Sequence, residues 1–202
     1  DENSDIDVLI VTQKNRLWLA RLLAIILMEL KGVRRRPNQV TPLTHQDKFC
    51  LNMFISKESL ELPRKDLFTA NEFARMKTVW EKENTYQSFM QANHWIQNYL
   101  PNWKPNIKSS KFKVQSSKLS SKLKIKLPFT FKLLARFYTL IFTLCTNSLE
   151  TVARIVQLNY MAKRKTTEVV TNGLLMFHPH DAREWVMKTY ENRLAKLGLV
   201  DT

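Results

Sequence analysis

Glycine is scarce, three residues in 202, so a fold built on glycine-rich phosphate loops is not expected within this chain. Cysteine is scarcer: Cys50 and Cys145 sit in separate apolar runs, and no Cys-His pair has a spacing suited to zinc. Neither a disulfide framework nor a structural zinc is expected, and both thiols read as reduced and buried. Long uncharged apolar runs are missing too. Leu17 to Leu30 is too short for a span of roughly 20 residues and carries Arg21 and Glu29. Pro128 to Cys145 carries Lys132 and Arg136, each costing about 2.5–3.5 kcal/mol at a bilayer centre. Both stretches therefore read as core-packing helices, with a membrane-surface helix as the alternative for the second. No charged leader followed by an apolar run and a cleavage site opens the chain, so a cytoplasmic location is expected.

Acidic residues are also few: 18 Asp and Glu against 32 Lys and Arg give a net charge of +14. Such a surface attracts phosphate, whether on a nucleotide, a nucleic acid or a lipid headgroup. A hydrophobic share of 44% with 25% charged residues is ordinary for a folded chain and excludes wholesale disorder.

Ile6 to Val11 is a run of branched apolar residues broken by Asp7, which predicts a strand. A helix apolar nearly all round follows from Leu17 to Lys31 and stops at Gly32. Lys48 to Ser56 predicts a second strand, whose alternation puts Cys50, Asn52 and Phe54 on one face and Phe49, Leu51, Met53 and Ile55 on the other. Thr69 with Glu72 reads as a capping box for a helix over Ala70–Glu81, and Thr85 to Leu100 as another helix stopped by Pro101. From Trp103 to Leu127 the chain becomes rich in Lys and Ser and has no acid, which marks a linker or insertion and a strong local attractor of phosphate. Beyond it, helices are expected over Phe129–Asn147, Leu149–Lys163 and Asp181–Leu197, with a turn at Leu174–Asp181 around Pro179. The sum is an α+β chain: a domain over residues 1–102, a basic segment over 103–128 and a mainly helical region over 129–202.

The informative segment is Ser4-Asp5-Ile6-Asp7-Val8-Leu9-Ile10-Val11. Residues two apart in a strand share a side at roughly 6.5–7 Å, so Asp5 and Asp7 present adjacent carboxylates while Ile6, Val8 and Ile10 face the other way. Like charges that close destabilise one another unless a cation sits between them, and oxygen ligands suit Mg²⁺ or Mn²⁺. A bare Asp-x-Asp is common, and on its own Asp5 reads as a turn residue and Asp7 as an edge charge.

SDIDVLIV, followed by a short polar turn and a long helix, resembles the second half of the signature of the polymerase-beta-like nucleotidyltransferases. That family carries a Gly-Ser turn, a spacer, and then an Asp-hydrophobic-Asp on a strand. The stretches KNRLWLARLL, DKFCLNMFIS and LFTANEFARMK also look like those of bacterial nucleotidyltransferase-domain proteins. The likeness runs to about Asn102 and returns weakly around MFHPHDAREWV. It implies a small nucleotidyltransferase-type sheet with flanking helices. It further implies that Asp5 and Asp7 hold Mg²⁺ or Mn²⁺ against a nucleoside triphosphate, and that a nucleoside monophosphate passes to an acceptor (a small molecule, an RNA end or a protein hydroxyl).

The chain departs from the family pattern in two places. Only Asp1 to Ser4 precede Asp5, so the Gly-Ser turn is expected upstream in a longer protein, and this stretch alone is expected to be inactive. The third carboxylate that such enzymes usually place on a neighbouring strand is matched by Asn52, which can coordinate a metal but cannot take a proton at neutral pH. Asn52 is expected near the aspartates. Ser4 and Lys14 are candidates to contact the nucleotide, with a solvated turn as the alternative for Lys14-Asn15-Arg16 and for Arg34-Arg35-Arg36. Two other classes stay open: a degenerate domain that binds nucleotide or a partner without transfer, and a basic module for nucleic acid. An oligomer through the helical region also stays open.

His178 and His180 form a His-x-His without a third ligand at a recognisable spacing, and Asp181 reads as a helix N-cap. His45 and His94 read as structural. The Trp residues at 18, 80, 95, 103 and 185 read mostly as core rather than as base-stacking platforms.

Overall fold

A computed structural model describes residues 5–36, 47–105, 129–162, 168–177 and 183–199. The architecture is α+β, as the sequence predicts. Four strands, β1 (Ile6–Thr12), β2 (Phe49–Ser56), β3 (Val169–Val170) and β4 (Leu174–Met176), form one sheet in the order β1-β2-β4-β3. The described helices are α1 (Leu17–Leu30), α2 (Leu67–Ala74), α3 (Thr85–Ala92), α4 (Ile96–Tyr99), α5 (Phe129–Ala162) and α6 (Arg183–Lys196). The chain divides into two compact units, residues 1–59 with 114–177 and residues 60–113 with 178–202.

The first unit holds the sheet, α1 and α5. β1 and β2 run parallel, joined by α1 as the crossover that parallel neighbours require. β4 pairs antiparallel with both β2 and β3. Leu17 and Trp18 of α1 pack with Phe54, Leu175, Ala153 and Met161 in one buried cluster. Each large apolar side chain so buried contributes roughly 1.5–3 kcal/mol.

α1 begins at Arg16, whose side chain makes no capping bond. The open N–H groups are met from α5 instead: Glu150 accepts from Trp18 N at 2.9 Å and Leu19 N at 2.8 Å. A carboxylate at the positive end of a helix satisfies both its orphan donors and its dipole. Gln157 donates to Trp18 O at 2.8 Å and accepts from Arg21 at 2.5 Å, and Arg16 reaches Asn147 at 2.8 Å and Thr146 at 2.7 Å. α1 ends where its sequence says it must, with Gly32 at a φ of 66°.

Several local expectations are corrected. α5 is one helix of 34 residues rather than two, because no Gly or Pro interrupts it and Ser148 bonds back to Leu144 O at 3.1 Å. The predicted turn over Leu174–Asp181 begins with strand β4, and its last part, with His178, His180 and Asp181, lies outside the described residues. Cys145 is exposed and Cys50 half-buried, so neither thiol is fully enclosed. Residues 136–145 of α5, expected in a core, are exposed.

The second unit packs α2, α3 and α4 around Leu62, Phe73, Phe89, Trp95 and Ile96. α2 starts earlier than the Thr69 capping box predicts, because Asp66 accepts from Thr69 N at 2.8 Å and fixes the first turn there. The helix expected over Thr85–Leu100 is broken at Asn93. That buried amide accepts from Leu62 N and the Trp95 indole, and donates to Leu60 O and Phe89 O. Asn93 thus joins the loop before α2 to the break between α3 and α4 through a buried polar hub. In α6, Arg183 pairs with Asp66 at 2.7 Å. Trp18 and Trp95 are buried, but Trp80 and Trp185 are exposed and serve no core. Among the described residues no helix is long and apolar enough to cross a membrane.

Candidate functional site

The Asp-x-Asp lies at the start of edge strand β1, where Ile6 N donates to Lys48 O at 2.8 Å and ties β1 to the entrance of β2. A strand's alternation points Asp5 and Asp7 to one side. Ligand-type atoms of Asp5, Asp7 and Cys50 all lie within 4.8 Å of one another. Asp7 is exposed, whereas Asp5 and Cys50 are half-buried.

A break in register builds the rest. Asp7 pairs with Cys50, but Leu9 pairs with Met53, so two steps along β1 match three along β2. The extra residue changes which β2 side chains share a face. Leu51 and Phe54, three apart, both pack on the α1 cluster, against the strict alternation that predicts opposite faces for them. Asn52 sits in the shifted stretch and donates its side-chain amide to Asp7 at 2.7 Å. Its backbone oxygen accepts from Phe177 N at 2.8 Å, which holds the position from the β4 side.

The fourth member is Arg35. The chain leaving α1 bridges to β2: Phe49 N donates to Val33 O at 2.8 Å, and Arg35 N to Phe49 O at 3.0 Å. From there the Arg35 guanidinium donates to Asp5 at 2.5 Å and contacts the Cys50 sulfur at 3.9 Å. Burial works against the Arg35 charge, but Asp5 outweighs it and holds the guanidinium above its ordinary range. Burial also pushes the Cys50 thiol up to about 12, with the Asp7 and Asp5 charges adding to the rise and Arg35 opposing it. Cys50 is therefore a neutral thiol at physiological pH, poorly suited to act as a nucleophile.

Of the site residues predicted from sequence, the structure gathers Asp5, Asp7 and Asn52. Lys14 is not among them: it follows β1 at the opposite end of the strand and pairs with Glu58 at 2.9 Å. Ser4 lies outside the described residues. The sequence alone does not place Cys50 in the site, and it offers Arg35 only within the Arg34–Arg36 run, as a phosphate contact or a solvated turn. Cys50 had a signal, since it falls two residues before Asn52 on the same predicted face, but Arg35 depends on a bridge between loop and strand that no periodicity reveals. Its neighbour Arg36 reaches Glu29 at 2.9 Å, so the Arg triplet is divided between α1 and the carboxylate pair.

Chemically, the cluster offers two hard carboxylates, an amide and a guanidinium at one sheet edge. Carboxylate oxygens are the ligand type that hard divalent cations such as Mg²⁺ and Mn²⁺ prefer over sulfur. No third carboxylate joins the cluster among the described residues. No protein-family model matches the chain, and neither does any curated protein or solved structure.

Proposed function

We propose that this chain carries the carboxylate half of a metal-dependent nucleotidyltransferase site. It moves a nucleoside monophosphate from a nucleoside triphosphate to a small-molecule, RNA or protein acceptor. The carrying observation is the convergence of Asp5 and Asp7 at the start of β1 with Asn52 bonded to Asp7.

Asp5 and Asp7 hold Mg²⁺ or Mn²⁺, and Asn52 orients the Asp7 carboxylate. The ion, when bound, neutralises charge that develops on the nucleotide's phosphates. The acceptor oxygen attacks the α-phosphorus, the bond to the bridging oxygen breaks, and pyrophosphate leaves. Arg35, which pairs with Asp5, would be placed to bind a phosphate oxygen of the nucleotide, since a guanidinium matches phosphate as well as carboxylate. The acceptor's proton needs a base beyond Asn52, which has no capacity to take one.

One observation favours a second reading, a domain that binds nucleotide without transferring it. Both carboxylates already have a donor, Arg35 for Asp5 and Asn52 for Asp7, and Asn52 stands where a third acid would be expected. The test is transfer of label from an α-phosphate-labelled nucleotide by the full-length protein with Mg²⁺, against an Asp5→Ala, Asp7→Ala double substitution. Transfer that disappears in the double variant supports the enzyme. Nucleotide binding without transfer, lost in the same variant, supports the second reading, and neither binding nor transfer removes both.

A further inference from the structure

α5 uses one stripe to hold α1: Thr146, Glu150, Ala153, Gln157 and Met161 face it. A second stripe has no such role. Tyr138, Phe142, Cys145, Leu149, Val152 and Val156 are spaced four, three, four, three and four residues apart. This is the repeat of a coiled-coil seam. Every member is exposed; Tyr138, Phe142, Leu149, Val152 and Val156 lie between 53% and 70%.

Two quantities say what covers this seam. Five large apolar side chains on the seam, with Ile141 and Ile155 beside it, are at least 44% exposed. At about 100 Å² each they present on the order of 700 Å², beyond the few hundred that monomers usually expose and close to the roughly 800 Å² per partner of a stable interface. The second quantity is charge. A chain of net charge +14 repels its own copies, but Phe137 to Leu149 contains no Lys, Arg, Asp or Glu. The flanking cations Arg136 and Arg154 fall at heptad positions away from the seam, and the positions beside it hold Thr139, Ile141, Thr146, Ser148, Ala153 and Ile155. Two copies can meet there without bringing like charges together.

We propose that α5 is a self-association helix, pairing with the same seam of a second copy to form a two-fold dimer. A two-fold interface needs one self-complementary patch, and a heptad seam is one. The pairing is independent of the nucleotide reading.

Sedimentation velocity on the full chain in reducing buffer tests this, with Leu149→Glu in the seam and Thr143→Glu off it. The expected result is twice the 23.9 kDa chain mass for the parent and for Thr143→Glu, and the single-chain mass for Leu149→Glu at unchanged helical circular dichroism. Alkylation of Cys145 provides a second readout, slow in the dimer and at least about tenfold faster in Leu149→Glu. A parent that sediments as a single chain at tens of micromolar overturns the proposal, as does a dimer that survives Leu149→Glu. A single-chain parent that instead binds vesicles of anionic lipid, and loses that binding in Leu149→Glu, assigns the seam to a membrane surface and also overturns it.

Discussion

Asn52 donates its side-chain amide to the Asp7 carboxylate across the β1–β2 pair, at 2.7 Å. The contact lies in the stretch where β2 gains a residue relative to β1, between Asp7 and Leu9. A neutral donor thereby occupies the position where the nucleotidyltransferase reading expects a third acid.

Asn52→Asp is expected to convert that donor into a repelling neighbour. With chelator present, the variant should melt below the parent, because like charges sit together without a cation. With Mn²⁺ it should recover, and its affinity for Mn²⁺ should rise about tenfold through the added carboxylate. Thermal melts with and without Mn²⁺ read both effects. A melting temperature indifferent to Mn²⁺ in parent and variant alike would show that these carboxylates bind no such ion.

Arg35 is the resident counter-ion of Asp5. Arg35→Met should lower stability by about 1 kcal/mol in chelator, the usual scale of a hydrogen bond to a charged partner at a half-exposed site. It should also tighten Mn²⁺ binding in the absence of nucleotide, because the ion no longer displaces a guanidinium. Nucleotide affinity should fall, since the phosphate loses its partner. Calorimetric titrations with Mn²⁺ alone and with Mn²⁺ plus nucleotide separate the two, and parallel changes in both would count against Arg35 as an exchanging group.

Cys50 has a pH signature. Its folded thiol is raised to about 12 from an ordinary 9.0, so the folded state holds the proton more tightly. Stability is therefore expected to fall as pH rises from about 9, where the unfolded thiol ionises, and to level off above about 12. In a Cys145→Ser background with chelator, Cys50 alkylation should keep rising through pH 9 to 11, whereas the urea-unfolded chain levels near 9. Identical profiles for the two states would contradict the burial described.

Glu150 caps α1 from a different helix, accepting from Trp18 N and Leu19 N. Glu150→Ala should cost about 1–2 kcal/mol in urea unfolding, the usual loss for a helix N-cap. Glu150→Gln should cost less, since it retains one carbonyl acceptor but not the charge that favours the helix N-terminus. Equal losses for both variants would mean that the charge matters more than the bonds.

The legible parts of the fold were those fixed by local chemistry. The branched run Ile6–Val11, the apolar helix before Gly32 and the strand Phe49–Ser56 each carry their own signal, and together they define the crossover that brings Asp5, Asp7 and Asn52 to one sheet edge. What stayed hidden was tertiary. Strict period-two reading separates Leu51 from Phe54, yet both pack on one cluster in the strand that carries the register break with β1. Asn93 looks like any helical Asn until four buried groups converge on it. β3 and β4 have two and three residues, too few for any alternation to register. The Arg35–Asp5 contact joins residues 30 apart through a bridge that has no sequence mark.

Asp5 and Asp7 as metal ligands are tested most directly by Mn²⁺ binding to the full-length protein, read as loss of the free-ion electron paramagnetic resonance signal with a nucleoside triphosphate present and absent. Saturable binding that the nucleotide strengthens, and that Asp5→Asn with Asp7→Asn abolishes, is the expected result. Binding that is unchanged in the double variant, or no binding under either condition, would contradict the assignment of Asp5 and Asp7 as ligands.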